Sequence, residues 1–308
     1  MVWLRRGIMD FMRSLTPLLS TRIIISVLLV VAALGAYIAF SSARDPILVG
    51  AGDIAGCNTS GDEATARLLD TIPGTVFADG DTVYGAEQPA DFTNCYGTSW
   101  GRHKARTRPA AGNREYLVAG AAPFFAYFGA AAGDPTKGYY SYDLGAWHII
   151  VLNSNCAQIG GCASGSPQER WLRDDLATHP TRCTLAYWHH PRFSSGVHGN
   201  ATELRPLWQT LYAAGADVVV NGHDHDYERF APQDQDGKPD PIRGIREFIV
   251  GTGGVGFTSL GAPIANSEVR NDATFGVLKL TLHPQSYDWQ FIPVAGMTFS
   301  DSGSARCH

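Results

Sequence analysis

The stretch "VVVNGHDHDYER", residues 218–229, runs three valines into a polar turn and then sets two histidines one residue apart, with acids between and after them. Three consecutive β-branched apolar residues read as a strand buried on both faces. The polar chemistry therefore stands at the mouth of a buried strand. Four other apolar runs end in the same way: "ILVGAGD" at Asp53, "TVFADGD" at Asp81, "TRPAAGN" at Asn113, and "TLAYWHH" at His189 and His190. The quoted stretch adds His223 and His225. In α/β sheets ligands gather outside the carboxyl ends of strands, so these residues, far apart in the chain, are expected to meet in one crevice.

The segments between these strands support an α/β reading with mixed sheets. "EATARLLD" (63–70) has helical spacing between two buried strands, and "KGYYSYDLGAWHIIVLNSN" reads as a hairpin. "SPQERWLRDDLATH" opens a helix with Ser166 as cap, Pro167 in the first turn and Glu169 three residues after the cap. "TELRPLWQTLYAAG" is a further helix, and "REFIVGTGG", "FGVLKLTLHP" and "YDWQFIPV" are consecutive strands that extend a mixed or second sheet.

With 308 residues, 44% hydrophobic and 17% charged, the chain suits one large globular domain, or at most two, and is neither disordered nor fibrous. A net charge of -5 with no basic stripe beyond the N-terminus argues against nucleic acid as a partner. In the basic segment 1–22, Arg5, Arg6, Arg13 and Arg22 precede the uncharged apolar run 23–40, "IIISVLLVVAALGAYIAF". That run is close to bilayer-spanning length, and the preceding charges place the N-terminus in the cytoplasm and residues 46–308 outside it. The membrane is thus an expected partner, through a single-pass anchor. "SSA" ending at Ala43 also suits a signal-peptide cleavage site, which would release the domain instead.

Export makes the six cysteines candidates for disulfides, and no C-x-x-C pair points to a thiolate metal site. Six thiols allow fifteen connectivities, which the sequence alone does not decide. The pairing adopted here is Cys57–Cys95, Cys156–Cys162 and, by what remains, Cys183–Cys307.

Carboxylates, an amide oxygen and imidazoles together suit hard or borderline metal ions, and they are too many for one tetrahedral zinc. A pair of ions sharing a carboxylate would use them, and such pairs activate water and clamp the oxygens of a displacement at phosphorus. The blocks "GDIAG", "GDTVY", "GNRE", "WHHP" and "GHDHDYER", in this order, resemble the five motif blocks of the calcineurin-like metallophosphoesterases, most of all the purple acid phosphatase branch. The resemblance covers essentially all of residues 46–308 and starts directly after the apolar run, without the separate N-terminal β-domain of larger members. It implies a four-layer α-β-β-α sandwich and a phosphatase whose substrate is a phosphoester, a monoester ahead of a diester.

Carried over by motif, the resemblance implies that Asp53, Tyr84 and His225 hold one metal, that Asn113, His189 and His223 hold the other, and that Asp81 bridges them. Tyr84, together with Ala55 where the wider superfamily has a second histidine, points to ferric iron in the first position. A divalent iron, zinc or manganese ion would fill the second. The family's H-x-P pattern selects His189 as ligand and leaves His190 to support the site or to touch substrate. One block departs from the pattern: Arg114 stands where the family has a histidine that contacts the phosphoryl group and helps to protonate the leaving oxygen. Arginine offers a charged fork to phosphate but no proton. Leaving-group protonation would then fall to His190 or His198. The same departure motivates an alternative, a catalytically weak metal protein that binds phosphate or a phosphorylated polymer.

Other readings explain less. "GAGDIA" satisfies a dinucleotide-binding pattern, yet that reading ignores the four later blocks. "GTGGVG" (251–256) lacks the ending of a phosphate-binding loop and reads as a tight turn near the site. His148 alternates within an apolar strand and reads as a core or sheet-face residue. Glu228 and Arg229 are expected to brace their loop as an ion pair.

Overall fold

The computed structural model describes residues 45–308; the basic segment 1–22, the apolar run 23–40 and the cleavage site at Ala43 lie outside the described residues. Among the described residues no helix is long and apolar enough to cross a membrane.

The chain opens with β1 (Ile47–Gly50), the short β2 (Ala55–Gly56), helix Gly61–Thr71, β3 (Thr75–Ala78), β4 (Val83–Tyr84) and β5 (Thr107–Pro109). The hairpin β6 (Tyr140–Leu144) and β7 (Trp147–Val151) follows, then helix Pro167–Thr178, β8 (Cys183–Tyr187), helix Arg205–Ala213 and β9 (Val218–Asn221). The remaining strands are β10 (Tyr227–Phe230), β11 (Arg246–Val250), β12 (Ser267–Asn271), β13 (Gly276–His283), β14 (Ser286–Pro293) and β15 (Ser302–Arg306). They form a six-stranded sheet, ordered β15-β14-β13-β1-β3-β5, and a seven-stranded sheet, ordered β12-β10-β11-β9-β8-β7-β6.

Each sheet has a parallel centre and antiparallel edges. β1, β3 and β5 are parallel, as are β7, β8, β9 and β11. The late strands that the sequence marks as consecutive divide between the sheets: β13 joins β1, whereas β11 joins β9.

Apolar residues of both sheets, among them Leu48, Phe77 and Leu280 of the first and Ile149, Leu185, Val220 and Phe248 of the second, share one buried cluster. Alternation along the strands turns Ile150, Ala186, Val219 and Ile249 to the other side, where they pack on Leu172, Leu207, Trp208 and Leu211 of two helices. Helix Gly61–Thr71 buries Ala66 and Leu69 and lies against β13. Helices thus flank two packed sheets, the expected four layers. Each fully buried aliphatic side chain contributes about 1.5–3 kcal/mol.

Local signals hold where they were strongest. Ser166 Oγ accepts the N–H of Glu169 at 3.3 Å, while Glu169 turns its carboxylate to Gly165 N at 2.8 Å, one residue before the cap. The disulfides are Cys57–Cys95, Cys156–Cys162 and Cys183–Cys307.

One expectation changes. Glu228 and Arg229 do not pair, because neighbours on strand β10 face opposite sides of the sheet. Glu228 accepts from Ser195 N at 2.8 Å, whereas Arg229 bonds Asp301 at 2.7 Å. The GAGDIA stretch leads through β2, and helix Gly61–Thr71 begins only later, so it lacks the strand-to-helix turn that cradles a dinucleotide.

Candidate metal centre

The carboxyl ends of β1, β3, β5, β8 and β9 open on one crevice, and every ligand candidate named from the sequence lies in it. Tyr84 Oη lies 2.6 Å from Asp53 Oδ1 and 3.0 Å from both Asp81 Oδ2 and His225 Nε2. On the other side, His189 Nε2 lies 2.9 Å from Asn113 Oδ1, 3.2 Å from His223 Nδ1 and 3.3 Å from Asp81 Oδ1. Asp81 therefore turns one oxygen to each group.

These donor sets fit metal ions. A single hydrogen on His189 Nε2 can satisfy one of the three lone-pair atoms around it, whereas a cation among them satisfies all four. His189 Nδ1 meets the Asp79 carbonyl at 3.1 Å, which orients the ring with Nε2 toward the crevice.

The electrostatics make the same demand. Burial disfavours a charged His189, yet Asp81, Asp53 and Glu115 outweigh it and push its pKa up to about 10. Burial also works against charge on Asp53, but His225, His189 and Tyr84 hold its carboxyl well below the usual range. The crevice calls for positive charge. Burial and the Asp53 and Asp81 carboxylates push the Tyr84 phenol far above its ordinary value, so it gives up its proton only beside a strongly acidic cation.

The local backbone is strained to present these groups. Asp53, Asp81 and His223 adopt positive φ values of 56°, 49° and 73°, a region that costs a non-glycine residue about 1–3 kcal/mol. Two glycines make room: a Cβ on Gly112 would lie 2.1 Å from Asp81 Oδ1, and one on Gly222 2.6 Å from Asp53 Oδ2. Glu115 is fully sequestered and accepts from Asp81 N, Thr82 N, Thr82 Oγ1 and Gly112 N at 2.7–3.0 Å, tying the second and third motif loops together. Burial and the neighbouring Asp81 raise its pKa to about 7. The sequence reading gave Glu115 no role, although its place in the GNRE block was a signal.

Arg114 lines the crevice, but not as a free fork. Its Nε and Nη2 lie 2.8 and 2.7 Å from Glu87 Oε1, and its guanidinium sits 4.5 Å from the centroid of the Tyr84 ring. Only Nη1 makes no hydrogen bond among the described residues, so Arg114 can offer phosphate one edge and not two. Glu87, buried and with φ of 53°, went unnoticed in the sequence because nothing periodic marks it.

His190 and His198 flank the ligands, with ring centroids each 4.4 Å from that of His223. His190 Nδ1 meets Ser154 Oγ at 2.7 Å, and burial together with the charge of His189 pushes its pKa down to about 3. It is therefore neutral and a poor proton donor. His198 Nδ1 meets the buried carboxylate of Asp224 at 2.8 Å. That contact occupies Nδ1 and leaves Nε2 without a hydrogen bond among the described residues. The crevice proper holds 270 Å³ and is lined by Asp81, Tyr84, Asn113, Arg114, His198, His223, His225 and Thr258. A larger groove of 740 Å³ runs between helices Pro167–Thr178 and Arg205–Ala213, away from these groups.

Two oxygen- and nitrogen-rich donor sets, with Asp81 facing both, thus stand at the strand ends of a two-sheet sandwich. The profile of the calcineurin-like phosphoesterases matches residues 48–227, and the chain belongs to that family. Purple acid phosphatase 15 of Arabidopsis thaliana is 34% identical over 104 residues, which cover 32% of this chain and 19% of the relative. Probable purple acid phosphatase 20 of the same plant is 28% identical over 171 residues, covering 47% and 39%. The chain thus matches about a fifth to two fifths of the length of these relatives. Purple acid phosphatase PPD1 of yellow lupin (Lupinus luteus) superposes with a TM-score of 0.69 at 18% identity, over 86% of this chain and 54% of that one. GAP50, the anchor in the inner membrane complex of Plasmodium, superposes with a TM-score of 0.66 at 15% identity, over 86% of this chain and 90% of that one. These two likenesses show the fold.

Proposed function

We propose that this chain is a metal-dependent phosphoester hydrolase of the purple acid phosphatase type, acting on phosphomonoesters. The observation that carries the reading is Asp81, whose two oxygens face two separate donor sets. Asp53, Tyr84 and His225 would hold ferric iron, and Asn113, His189 and His223 a divalent iron, zinc or manganese ion, with Asp81 shared. When bound, such a pair supplies an activated water and neutralises charge on the transferring phosphoryl group.

The chain's own residues do the rest. Arg114, fixed by Glu87, offers Nη1 to a phosphoryl oxygen, and its permanent charge favours the more negative transition state. His198, oriented by Asp224, can move a proton at Nε2 to the leaving oxygen. Glu115 keeps the loops that carry Asp81 and Asn113 in register.

Hydrolysis of an aryl phosphate between pH 4 and 9, with metal content determined and Asp81→Asn as control, tests the reading. Turnover lost in the control is expected. A protein that carries both metals and turns over neither an aryl monoester nor an aryl diester would instead be a phosphate-binding protein. A visible absorption band that Tyr84→Phe removes is expected for ferric iron; a colourless protein with two divalent ions would overturn that assignment.

We also read the domain as lying outside the cytoplasm, tethered by residues 23–40 or released after Ala43. The three disulfides favour an oxidising compartment. Protease added to intact cells should digest the domain if it is exposed and tethered, and its recovery only inside lysed cells would reject export.

A further inference from the structure

The end of the domain opposite the metal crevice carries groups that hydrolysis leaves unused. The candidate ligands stand at the carboxyl ends of the parallel strands, so the amino ends of β1, β7, β8, β9 and β11 share the far end. The described chain enters there: Asp45 meets His283 Nδ1 at 2.6 Å, and Leu282 N donates to Pro46 O at 2.9 Å. In the turn after His283, Gln285 O accepts from Cys307 N at 3.0 Å. The Cys183–Cys307 disulfide, with Cα atoms 5.4 Å apart, brings the preceding residues, Arg182 and Arg306, to the same place. A hollow of 600 Å³ at this end is lined by both Arg306 and Ile242. Ile242 is 78% exposed, yet its turn is fixed, because Asp240 Oδ1 accepts from Ile242 N at 3.0 Å and from Arg243 N at 2.9 Å.

The charges at this end are matched unevenly. Several acids have partners: His283 lies between Asp45 and Asp288, Glu268 meets Arg229 and Arg246, and Asp240 accepts from Tyr212 Oη. Arg182, Arg243 and Arg306 are exposed and form no ion pair among the described residues. Arginines without partners beside an exposed aliphatic tip, on a chain of net charge -5, suit a surface that is anionic outside and apolar beneath. The chain before Asp45 says which surface that is. The apolar run ends at residue 40, and the stretch from there to Asp45 spans at most about 18 Å. A run that crosses a bilayer therefore keeps this end of the domain near the lipid headgroups.

We propose that this face docks on the membrane, with Ile242 entering the headgroup layer and Arg182, Arg243 and Arg306 meeting the phosphates of anionic lipids. The metal crevice then opens away from the bilayer, toward soluble substrate. The proposal rests on the reading of residues 23–40 as a retained anchor and is independent of the hydrolase reading. Attraction between the arginines and the lipid surface reaches about 10 Å in 0.1 M salt, so the short leash puts them within range.

The disulfides engage all six cysteines, so Ile242→Cys gives the full chain a single thiol for a fluorophore. Leu117→Cys does the same near the crevice, on an exposed side chain shortly after Arg114. Both labelled chains are reconstituted in vesicles of phosphatidylcholine and phosphatidylglycerol, and quenching by a lipid with a nitroxide headgroup is measured. Quenching at least about threefold stronger at position 242 is expected, because a domain of this size is roughly 40 Å across and the quencher acts over a shorter range. Each of Arg182→Gln, Arg243→Gln and Arg306→Gln should lower the ratio of docked to undocked protein about fivefold, and neutral phosphatidylcholine vesicles should lower it further. Equal quenching at the two positions, or stronger quenching at 117, overturns the orientation while leaving the anchor intact. Quenching at 242 that ignores both lipid charge and the three substitutions overturns the headgroup contact. Full chain that a carbonate wash strips from the vesicles removes the anchor reading, and the orientation with it.

Discussion

Two clusters of histidine and aspartate touch the seven-stranded sheet, and their protons and lone pairs are matched differently. On the face of β7 that packs against helix Pro167–Thr178, His148 meets Asp143 at 2.9 Å through Nδ1 and Asp175 at 2.8 Å through Nε2. Each ring nitrogen has its own carboxylate. The His179 ring stacks on His148 at 4.5 Å, only 9° from parallel, so the in-plane lone pairs of the two rings cannot converge on one ion. At the carboxyl end of the sheet, by contrast, His189 Nε2 faces three atoms that all offer lone pairs. The same residue types make an ion pair where every acceptor has a proton and a donor set suited to metal where protons are too few.

The comparison predicts unequal mutational effects. The largest belongs to Asp81→Asn, which should lower turnover at least about 10³-fold and reduce bound metal in elemental analysis, whereas His148→Gln should keep both metals. Equal metal loss in the two variants would erase the distinction. Next comes Glu115→Ala, which strands three backbone N–H groups and a hydroxyl. A loss of about 2–4 kcal/mol in denaturant unfolding is expected, and a change under 0.5 kcal/mol would show that the loops hold without it.

His148 should have a smaller effect, and one that depends on pH. Burial opposes its charge, but the bonds to Asp175 and Asp143 outweigh burial and raise its pKa above the ordinary 6.5. A raised folded-state pKa contributes stability that is fully present below the unfolded value near 6.5 and is lost as pH rises through the folded value. His148→Gln should therefore destabilise by about 1–2 kcal/mol at pH 5, and by less on the alkaline side. Melting curves of both proteins from pH 5 to 9 check this, and a gap that widens with pH would reverse the assignment. The smallest effect is reserved for Arg114→His, which restores a titratable group beside Asn113: alkyl phosphate hydrolysis should gain about tenfold relative to aryl. Equal gains for both would remove Arg114 from the leaving-group step.

Much of this was legible in the chain. Strand ends announced Asp53, Asp81, Asn113, His189, His223 and His225, the family resemblance added Tyr84, and the structure brings all seven together. Ser166 marked its helix start through a local bond that needs no tertiary contact. Glu87 was not legible as a support, and Glu115 and Asp224 were marked only by their places in the GNRE and GHDHDYER blocks. Each acts on a partner reached only after folding, as Glu87 does on Arg114, 27 residues away. Arg114 itself was expected to present a fork to phosphate, and the partner that occupies the fork could not be read from the GNRE block.

The sequence by itself determined which donors the protein owns and that they stand at strand ends, because strand periodicity and block order are local properties written a few residues at a time. Tertiary structure decided which acid meets which imidazole. Hydrogen bonds and charge pairing act over about 3 Å. Whether a histidine receives a proton's worth of acceptors or an excess of lone pairs is therefore set by how two sheets and their loops pack, and not by its neighbours in the chain.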